Sequence, residues 1–377
     1  MMNGLFHAAA RSILWGISIL IMLFSIVLFT FSDHIAHAAP TRMVLYVKSS
    51  PDANFSTIQP IQPTLLDSAV YQRESPMPAT DLYIKFKNDS KEIVYEVDSL
   101  GNLHLENGET MILRPEARRK LLNDAFALRA KHYGQLLSWQ EVDGHIPRKA
   151  KLTVIDLETG LRFNAQRRAG SKHADVQPLT KIDTGIMKKI YNGKWSWHRR
   201  AILVEANGHK LAASMHGMPH GGDGIPDNEF RGHFCIHFMG STTHGKGKVD
   251  YGHQLMVAKA SGTLTPFLNR LDPYEIINTF FLAAEYGDRG IMLAVFPEGK
   301  HPQAQVRHFG NEEAIVRHRF MDQEEITGSE LAVDIPVEIC QVRAGRCMNK
   351  SISIFKLRRL SIIDTWRIDE ILQSCNL

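Results

Sequence analysis

The chain has 377 residues, of which 44% are hydrophobic and 22% are charged, and its formal net charge is +4. This length predicts two or three domains, and the composition is ordinary for a folded protein. Lys and Arg are scattered and form no long basic run, which argues against a nucleic-acid partner.

The N-terminal residues carry the features of an export signal. Arg11 precedes an uncharged apolar run from Ile13 to Phe31, and Ala36-His-Ala38 offers an Ala-x-Ala cleavage site. The run is also long enough to span a bilayer, with Arg11 on the inner side. We therefore predict that residues 1–40 are a signal peptide or a membrane anchor. The protein is then a single-pass membrane protein with extracytoplasmic domains, or it is secreted if the signal is cleaved.

The four cysteines have different surroundings in the sequence. Cys340 and Cys347 flank a Gly-containing turn, so they can face each other across two strands, and Cys375 is an alternative partner. Disulfides are allowed in an extracytoplasmic compartment, but sequence alone leaves the pairing open. Cys235 lies more than a hundred residues from any other cysteine. It is the best candidate for a free thiol.

Residues 41–143 are predicted to form a membrane-proximal β/α region. Short β-rich segments fall between residues 81 and 98, whereas the Pro- and Gln-containing stretch 59–63 indicates a loop. A helix is predicted to begin near Pro115 and to stop at Gly134. Its apolar spacing is explained by core packing, and no chemistry is assigned to this region.

Residues 144–262 read as a β-rich domain. Two hairpins and two helices are predicted from alternation, turn residues and capping signals. The hairpins comprise 151–157 with 161–167, and 201–206 with 209–215; the helices comprise 180–191 and 251–260.

Histidines and one cysteine are concentrated after the second of these hairpins. The segment Gly232-His-Phe-Cys-Ile-His-Phe238 alternates polar and apolar residues. Side chains two residues apart share one face of a strand. His233, Cys235 and His237 are therefore predicted to face a cleft, while the intervening apolar residues pack in the core. His216 and His220 belong to a Gly- and Pro-containing loop that can fold over the same cleft. An imidazole beside a thiol can accept its proton and make a nucleophile.

These residues resemble a known motif. His216-Gly217 is followed fifteen residues later by Gly232-His233-Phe234-Cys235. This resembles the L,D-transpeptidases (YkuD-like), which carry His-Gly and then Ser/Thr-His-Gly-Cys. Here Gly replaces Ser/Thr, Phe234 replaces the Gly before the cysteine, and His237 replaces an Arg or Asn.

The resemblance implies a β-rich catalytic fold and a function. Cys235 would accept the acyl group, His233 would be its base and His216 would complete the catalytic set. The neighbouring Gly217, His220 and His237 would bind substrate. The implied reaction is exchange or cleavage of peptide bonds in peptidoglycan stem peptides through a thioester, without a cofactor.

Two alternatives remain open from the sequence. A zinc-dependent murein hydrolase would draw its ligands from a set of histidines and one aspartate. That set is His173, Asp175, His216, His220, His233 and His237. The third hypothesis is a non-catalytic envelope binding or scaffold protein, in which Cys235 is a buried small hydrophobe.

Residues 270–377 show a different pattern. A helix is predicted from Asp272 to its stop at Gly287, followed by β-rich runs at 331–342 and 350–357. This order resembles the nuclear-transport-factor-2-like (cystatin-like) α+β cone, which implies a binding role and a protein partner. The predicted fold class is therefore mainly β plus α+β, with an N-terminal signal or transmembrane helix.

Overall fold

The computed structural model describes residues 42–67, 69–73, 79–87, 92–222, 224–244, 247–298, 306, 309, 315–321, 323, 325–343 and 346–373. These residues are β-rich and include seven α-helices, as expected for a mainly β plus α+β protein. The predicted signal or anchor helix and Cys375 lie outside them. Among the helices of the described residues, none has the length and apolarity needed to cross a membrane.

The first sheet has seven strands in the order β2-β1-β4-β5-β6-β7-β3. They are β1 (Arg42–Val47), β2 (Thr57–Ile61), β3 (Val70–Arg73), β4 (Leu82–Lys87), β5 (Glu92–Val97), β6 (Leu103–His104) and β7 (Glu109–Ile112). The loop predicted at 59–63 is wrong, because Gln59 pairs with Leu45 and Pro60 with Val44. The strand β2 is at the sheet edge, where a proline without an N–H is tolerated.

Two helices connect this sheet to the next. Helix α1 (Pro115–His132) begins at Pro115 as predicted and ends one residue before its cap Tyr133. Helix α2 (Trp139–His145) was not predicted. A capping box begins it: the Ser138 hydroxyl accepts from the Glu141 backbone N–H, and the Glu141 carboxylate accepts from the Ser138 backbone N–H.

A closed six-stranded barrel follows, in the order β10-β13-β12-β11-β8-β9. Its elements are β8 (Lys151–Asp156), β9 (Arg162–Ala169), β10 (Ala174–Pro178), α3 (Lys181–Ile190), β11 (Arg200–Ala206), β12 (His209–Met215) and β13 (Phe234–His237). Both predicted hairpins and the helix with its Thr180 cap are confirmed. Apolar side chains that alternate along the strands fill the interior, among them Phe163, Phe234 and Ile236.

The remaining elements are helices and a second antiparallel sheet. They are α4 (Tyr251–Ala260), α5 (Leu264–Leu268), α6 (Pro273–Tyr286), α7 (Arg289–Ala294), β14 (Ile315–Phe320), β15 (Ala332–Arg343), β16 (Arg346–Arg358) and β17 (Arg367–Gln373). Gly287, at φ 68°, ends α6 as predicted. Phe280 of α6 packs on Phe355 of the sheet, with ring centroids 6.0 Å apart. Of the pairings that the sequence left open, Cys340–Cys347 is formed.

Candidate active site

Strand register brings Cys235 beside Asp175. Phe234 and Ile236 point into the barrel core, so Cys235 points outward, as the alternation predicted. Cys235 is paired with Asp175 across β13 and β10. Directly opposed residues of an antiparallel pair share one face. The Cys235 Sγ and the Asp175 Oδ1 are therefore only 3.9 Å apart.

A second row of outward-facing side chains lies next to this pair. The His237 ring stacks between the rings of His173, 4.4 Å away, and His253 of α4, 3.8 Å away. His253 contacts the Ser214 hydroxyl through Nδ1 at 2.9 Å. Both His237 and His253 are buried. This row forms a packed wall behind Cys235 and holds α4 against the barrel.

The loop between β12 and β13 folds back over Cys235. His220 and His233 exchange two backbone hydrogen bonds, of 2.9 and 2.7 Å. Gly232 permits this bridge, since its φ is +83° and a Cβ there would lie 2.2 Å from the His220 carbonyl oxygen. Glycine is thus required where the resembled motif has Ser or Thr. The buried Gln177 amide also donates to the Gly232 carbonyl and accepts from the Ile225 N–H.

The loop places His220 in contact with the thiol. Its Nε2 is 3.3 Å from the Cys235 Sγ, while its Nδ1 is 3.0 Å from the Met218 carbonyl oxygen. A carbonyl only accepts, so Nδ1 carries the proton and the neutral ring presents a free lone pair on Nε2. His220, rather than the predicted His233, is therefore the imidazole positioned to accept the thiol proton.

The loop after β13 contributes a further imidazole. The His244 Nε2 is 3.7 Å from the Cys235 Sγ, 3.1 Å from the Asp175 Oδ1 and 2.9 Å from the His173 Nε2. The His244 side chain is 52% exposed, so it connects the buried cluster to solvent. No role was assigned to this residue from the sequence, and its position in Thr243-His244-Gly245, nine residues after Cys235, was the available signal.

Burial governs the ionisation of these groups. Burial, followed by the nearby Asp175 carboxylate, raises the pKa of the Cys235 thiol well above its usual range. Burial works to raise the pKa of Asp175, but the His173 hydrogen bond and the neighbouring imidazoles bring it below its ordinary value. Burial also lowers the pKa of His233, and lowers that of His237 to about 2. The resting site therefore holds a protonated thiol beside a carboxylate.

The other residues predicted for the site lie deeper or serve packing. His216 is buried, its Nδ1 has no hydrogen-bond partner, and its ring is 5.2 Å from that of His220. The N–H of Gly217 donates to the Ser196 carbonyl at 2.8 Å, and a Cβ on Gly217 would lie 2.5 Å from the Tyr191 ring. Trp197 is 48% exposed, and its ring lies near His216 and His220 at 4.7 and 5.3 Å. It forms the aromatic rim of the site.

No family model matches this chain, and no curated protein does. The geometry of the site is therefore the evidence for its chemistry. In that geometry Phe234, which departs from the resembled motif, is a fully buried strand residue packed near Phe163 at 5.9 Å.

Among the residues that the structure describes, two overlapping groups of side chains are close enough to hold a metal ion. One comprises His220, His233, Cys235 and His244, and the other comprises His173, Asp175, Cys235 and His244. Cys235 and His244 belong to both groups. The sulfur can therefore serve either as a nucleophile paired with His220 or as a metal ligand.

Proposed function

We propose that this protein is a cysteine-dependent acyltransferase or peptidase that forms a thioester on Cys235. The observation that carries the proposal is the 3.3 Å contact between the Cys235 Sγ and the His220 Nε2. The Met218 carbonyl fixes the tautomer that this role needs. A nucleophile, a base within reach and a group that orients the base form the minimal set for covalent catalysis.

The reaction follows from these positions. The sulfur attacks the carbonyl carbon of a peptide bond while the thiol proton passes to the His220 Nε2. Collapse of the tetrahedral intermediate breaks the C–N bond, and His220 returns the proton to the leaving amine. An acceptor amine or water then attacks the thioester and gives its proton to His220, and the sulfur leaves as a thiol once that proton is returned. Because burial favours the protonated thiol, proton transfer accompanies attack rather than preceding it.

The substrate class rests on the resemblance to the L,D-transpeptidases. The catalytic part is then residues 144–262, and the substrate is a peptidoglycan stem peptide. The spacing of His216-Gly217 and Cys235 supports this assignment, and so does a barrel strand that carries the cysteine. His220 replaces His233 as the proposed base, and His233 becomes the backbone partner that positions it.

The proposal also covers the location of the protein and the role of residues 270–377. The N-terminal apolar run supports export to the cell envelope, with the run either cleaved or retained as an anchor. The packing of α6 on a four-stranded antiparallel sheet supports a nuclear-transport-factor-2-like domain over 270–377. Its proposed role is to bind a protein partner.

Purified muropeptides test the proposal directly. Cys235→Ala abolishes turnover, and His220→Gln lowers kcat by about 10²–10⁴-fold because the general base is lost. His198→Gln, a half-exposed histidine outside the cluster, is the matched control and leaves kcat unchanged. Full activity of Cys235→Ala would refute the proposal, and equal loss in the control would show that the assay reports folding instead.

A further inference from the structure

We propose that His173, Asp175, Cys235 and His244 form a binding site for a divalent metal ion of the zinc class, and that the bound ion withdraws the Cys235 sulfur from acyl transfer. The metal site stands on its own geometry. The inhibitory consequence rests on the function proposed above.

The ligand atoms have the spacing of a zinc centre. All four lie within 4.8 Å of one another. Ordinary zinc bond lengths in a tetrahedron place two nitrogen ligands about 3.3 Å apart and a nitrogen and a sulfur about 3.6 Å apart. The His244 Nε2 is 3.7 Å from the Cys235 Sγ, and it is 3.1 Å from the Asp175 Oδ1. The ligands therefore need small shifts, not rebuilding, to receive an ion.

The His173 ring already directs its second nitrogen at the other proposed ligands. The His173 Nδ1 is 2.7 Å from the Thr242 carbonyl oxygen, so Nδ1 donates and fixes the orientation of the ring. The His173 Nε2 is 3.2 Å from the Asp175 Oδ1 and 2.9 Å from the His244 Nε2, so three of the proposed ligand atoms converge. His173 is 1% exposed, so this ligand is shielded from solvent. A cation bound there takes the place of the hydrogen bond between His173 and Asp175, and the Thr242 carbonyl is the outer-shell partner that ligating histidines usually have.

The His233 imidazole also lies close to the Asp175 carboxylate. The His233 Nε2 is buried, has no hydrogen-bond partner and lies 3.6 Å from the Asp175 Oδ1. The Asp175 carboxylate and a Cys235 thiolate together neutralise a divalent ion. One thiolate, two imidazoles and one carboxylate suit zinc rather than magnesium or calcium, which prefer oxygen ligands. The half-exposed His244 gives the ion a route from solvent.

The alternative ligand group contains His220 and His233 instead of His173 and Asp175. We favour the His173 group because it includes a buried carboxylate that a cation would neutralise. In this group His220 is not a ligand. In either group the sulfur is a ligand. A metal-bound sulfur has its electron pair engaged and does not attack a carbonyl, so metal binding and acyl transfer exclude each other.

The test measures zinc binding and turnover separately on the full chain. Protein stripped with a chelator is titrated with zinc in competition with a chromogenic chelator, and bound metal is counted by elemental analysis. We expect one zinc per chain. His173→Ala and His244→Ala each weaken binding on the order of 100-fold, because each removes one ligand. His220→Gln and His198→Gln are the controls and retain binding within a few fold.

Cobalt binding shows directly whether the Cys235 sulfur is a metal ligand. Cobalt-loaded wild-type protein shows a thiolate-to-metal charge-transfer band, and Cys235→Ser loses it. His244→Ala keeps the test decisive if the buried His173 variant fails to fold. Absence of stoichiometric zinc in the wild type overturns the site. Loss of binding in His220→Gln equal to that in His244→Ala overturns this choice of ligands.

Measurements of turnover with and without zinc distinguish failure of the metal-site proposal from failure of the proposed function. Inhibition by one equivalent of zinc, reversed by a chelator, supports the exclusion of acyl transfer by metal. Activity that a chelator abolishes and zinc restores overturns both that exclusion and the thioester mechanism, and favours a zinc hydrolase. Zinc binding without any effect on turnover leaves the metal site standing but refutes its inhibitory role.

Discussion

The buried ion pairs of Lys259 test which contacts hold the barrel against the helices that pack on it. Its side chain is 2% exposed, and its Nζ lies 2.5 Å from the Glu158 carboxylate and 2.5 Å from that of Asp288. Glu158 also accepts hydrogen bonds from the hydroxyls of Ser49 and Ser50, at 2.8 and 2.6 Å. One ammonium group therefore joins the β8–β9 turn, α4 and the start of α7.

Replacing Lys259 with Met keeps the volume and removes the charge. Two largely buried carboxylates are then left without their shared cation, and breaking such a network costs about 3–5 kcal/mol. Urea unfolding followed by tryptophan fluorescence measures the loss of stability. The control Lys189→Met replaces an exposed helical lysine and changes stability by about 0.5 kcal/mol or less. A loss below about 1 kcal/mol for Lys259→Met would refute the argument.

The same network predicts a pH dependence. Burial acts to raise the pKa of Glu158, but Lys259 and the two serine hydroxyls lower it to about 2. A carboxylate with a lowered pKa stabilises the fold above its unfolded value, about 4.3, and loses that contribution as pH falls toward the folded value. The stability difference between wild type and Lys259→Met is therefore full at neutral pH and shrinks between about pH 4 and pH 2.

Two further predictions concern the site and acid stability. Gly232→Ala places a Cβ against the His220 carbonyl oxygen and disturbs the backbone bridge between His220 and His233. We expect kcat on muropeptides to fall by about 10²-fold or more, with an unchanged circular dichroism spectrum. An unchanged kcat would show that this bridge does not position the base. Burial lowers the pKa of His132 and of His318 to about 4. Since the unfolded histidines take up protons near pH 6.5, stability falls by about 1.4 kcal/mol per pH unit for each proton between about pH 6.5 and 4. His132→Gln makes this slope shallower in urea unfolding, and a slope equal to that of the wild type would contradict the assignment.

Local sequence patterns predicted the part of the site that depends on one strand. The alternation of Phe234, Cys235 and Ile236 decided which side chains enter the core and which face outward. The turn at Asn207-Gly208 predicted the hairpin that leads into the site. These features rest on side-chain period and turn chemistry, which act over a few residues.

The chemical partners of Cys235 depend on contacts that no local pattern encodes. Asp175 stands beside it because β10 pairs with β13, sixty residues further along the chain. His220 rather than His233 reaches the sulfur because a backbone bridge turns the loop over the strand. His244 joins the cluster through the loop after β13. Register and loop closure, which tertiary packing sets, decided these three positions.

A covalent intermediate on Cys235 is the most direct test of the central claim. The full chain, free of metal, is mixed with a muropeptide donor, quenched in acid and examined by intact-protein and peptide mass spectrometry. We predict an acyl adduct on the peptide containing Cys235, absent from Cys235→Ala and accumulating more slowly in His220→Gln. Turnover of the donor without any adduct on Cys235, and with full activity in Cys235→Ala, would contradict the account.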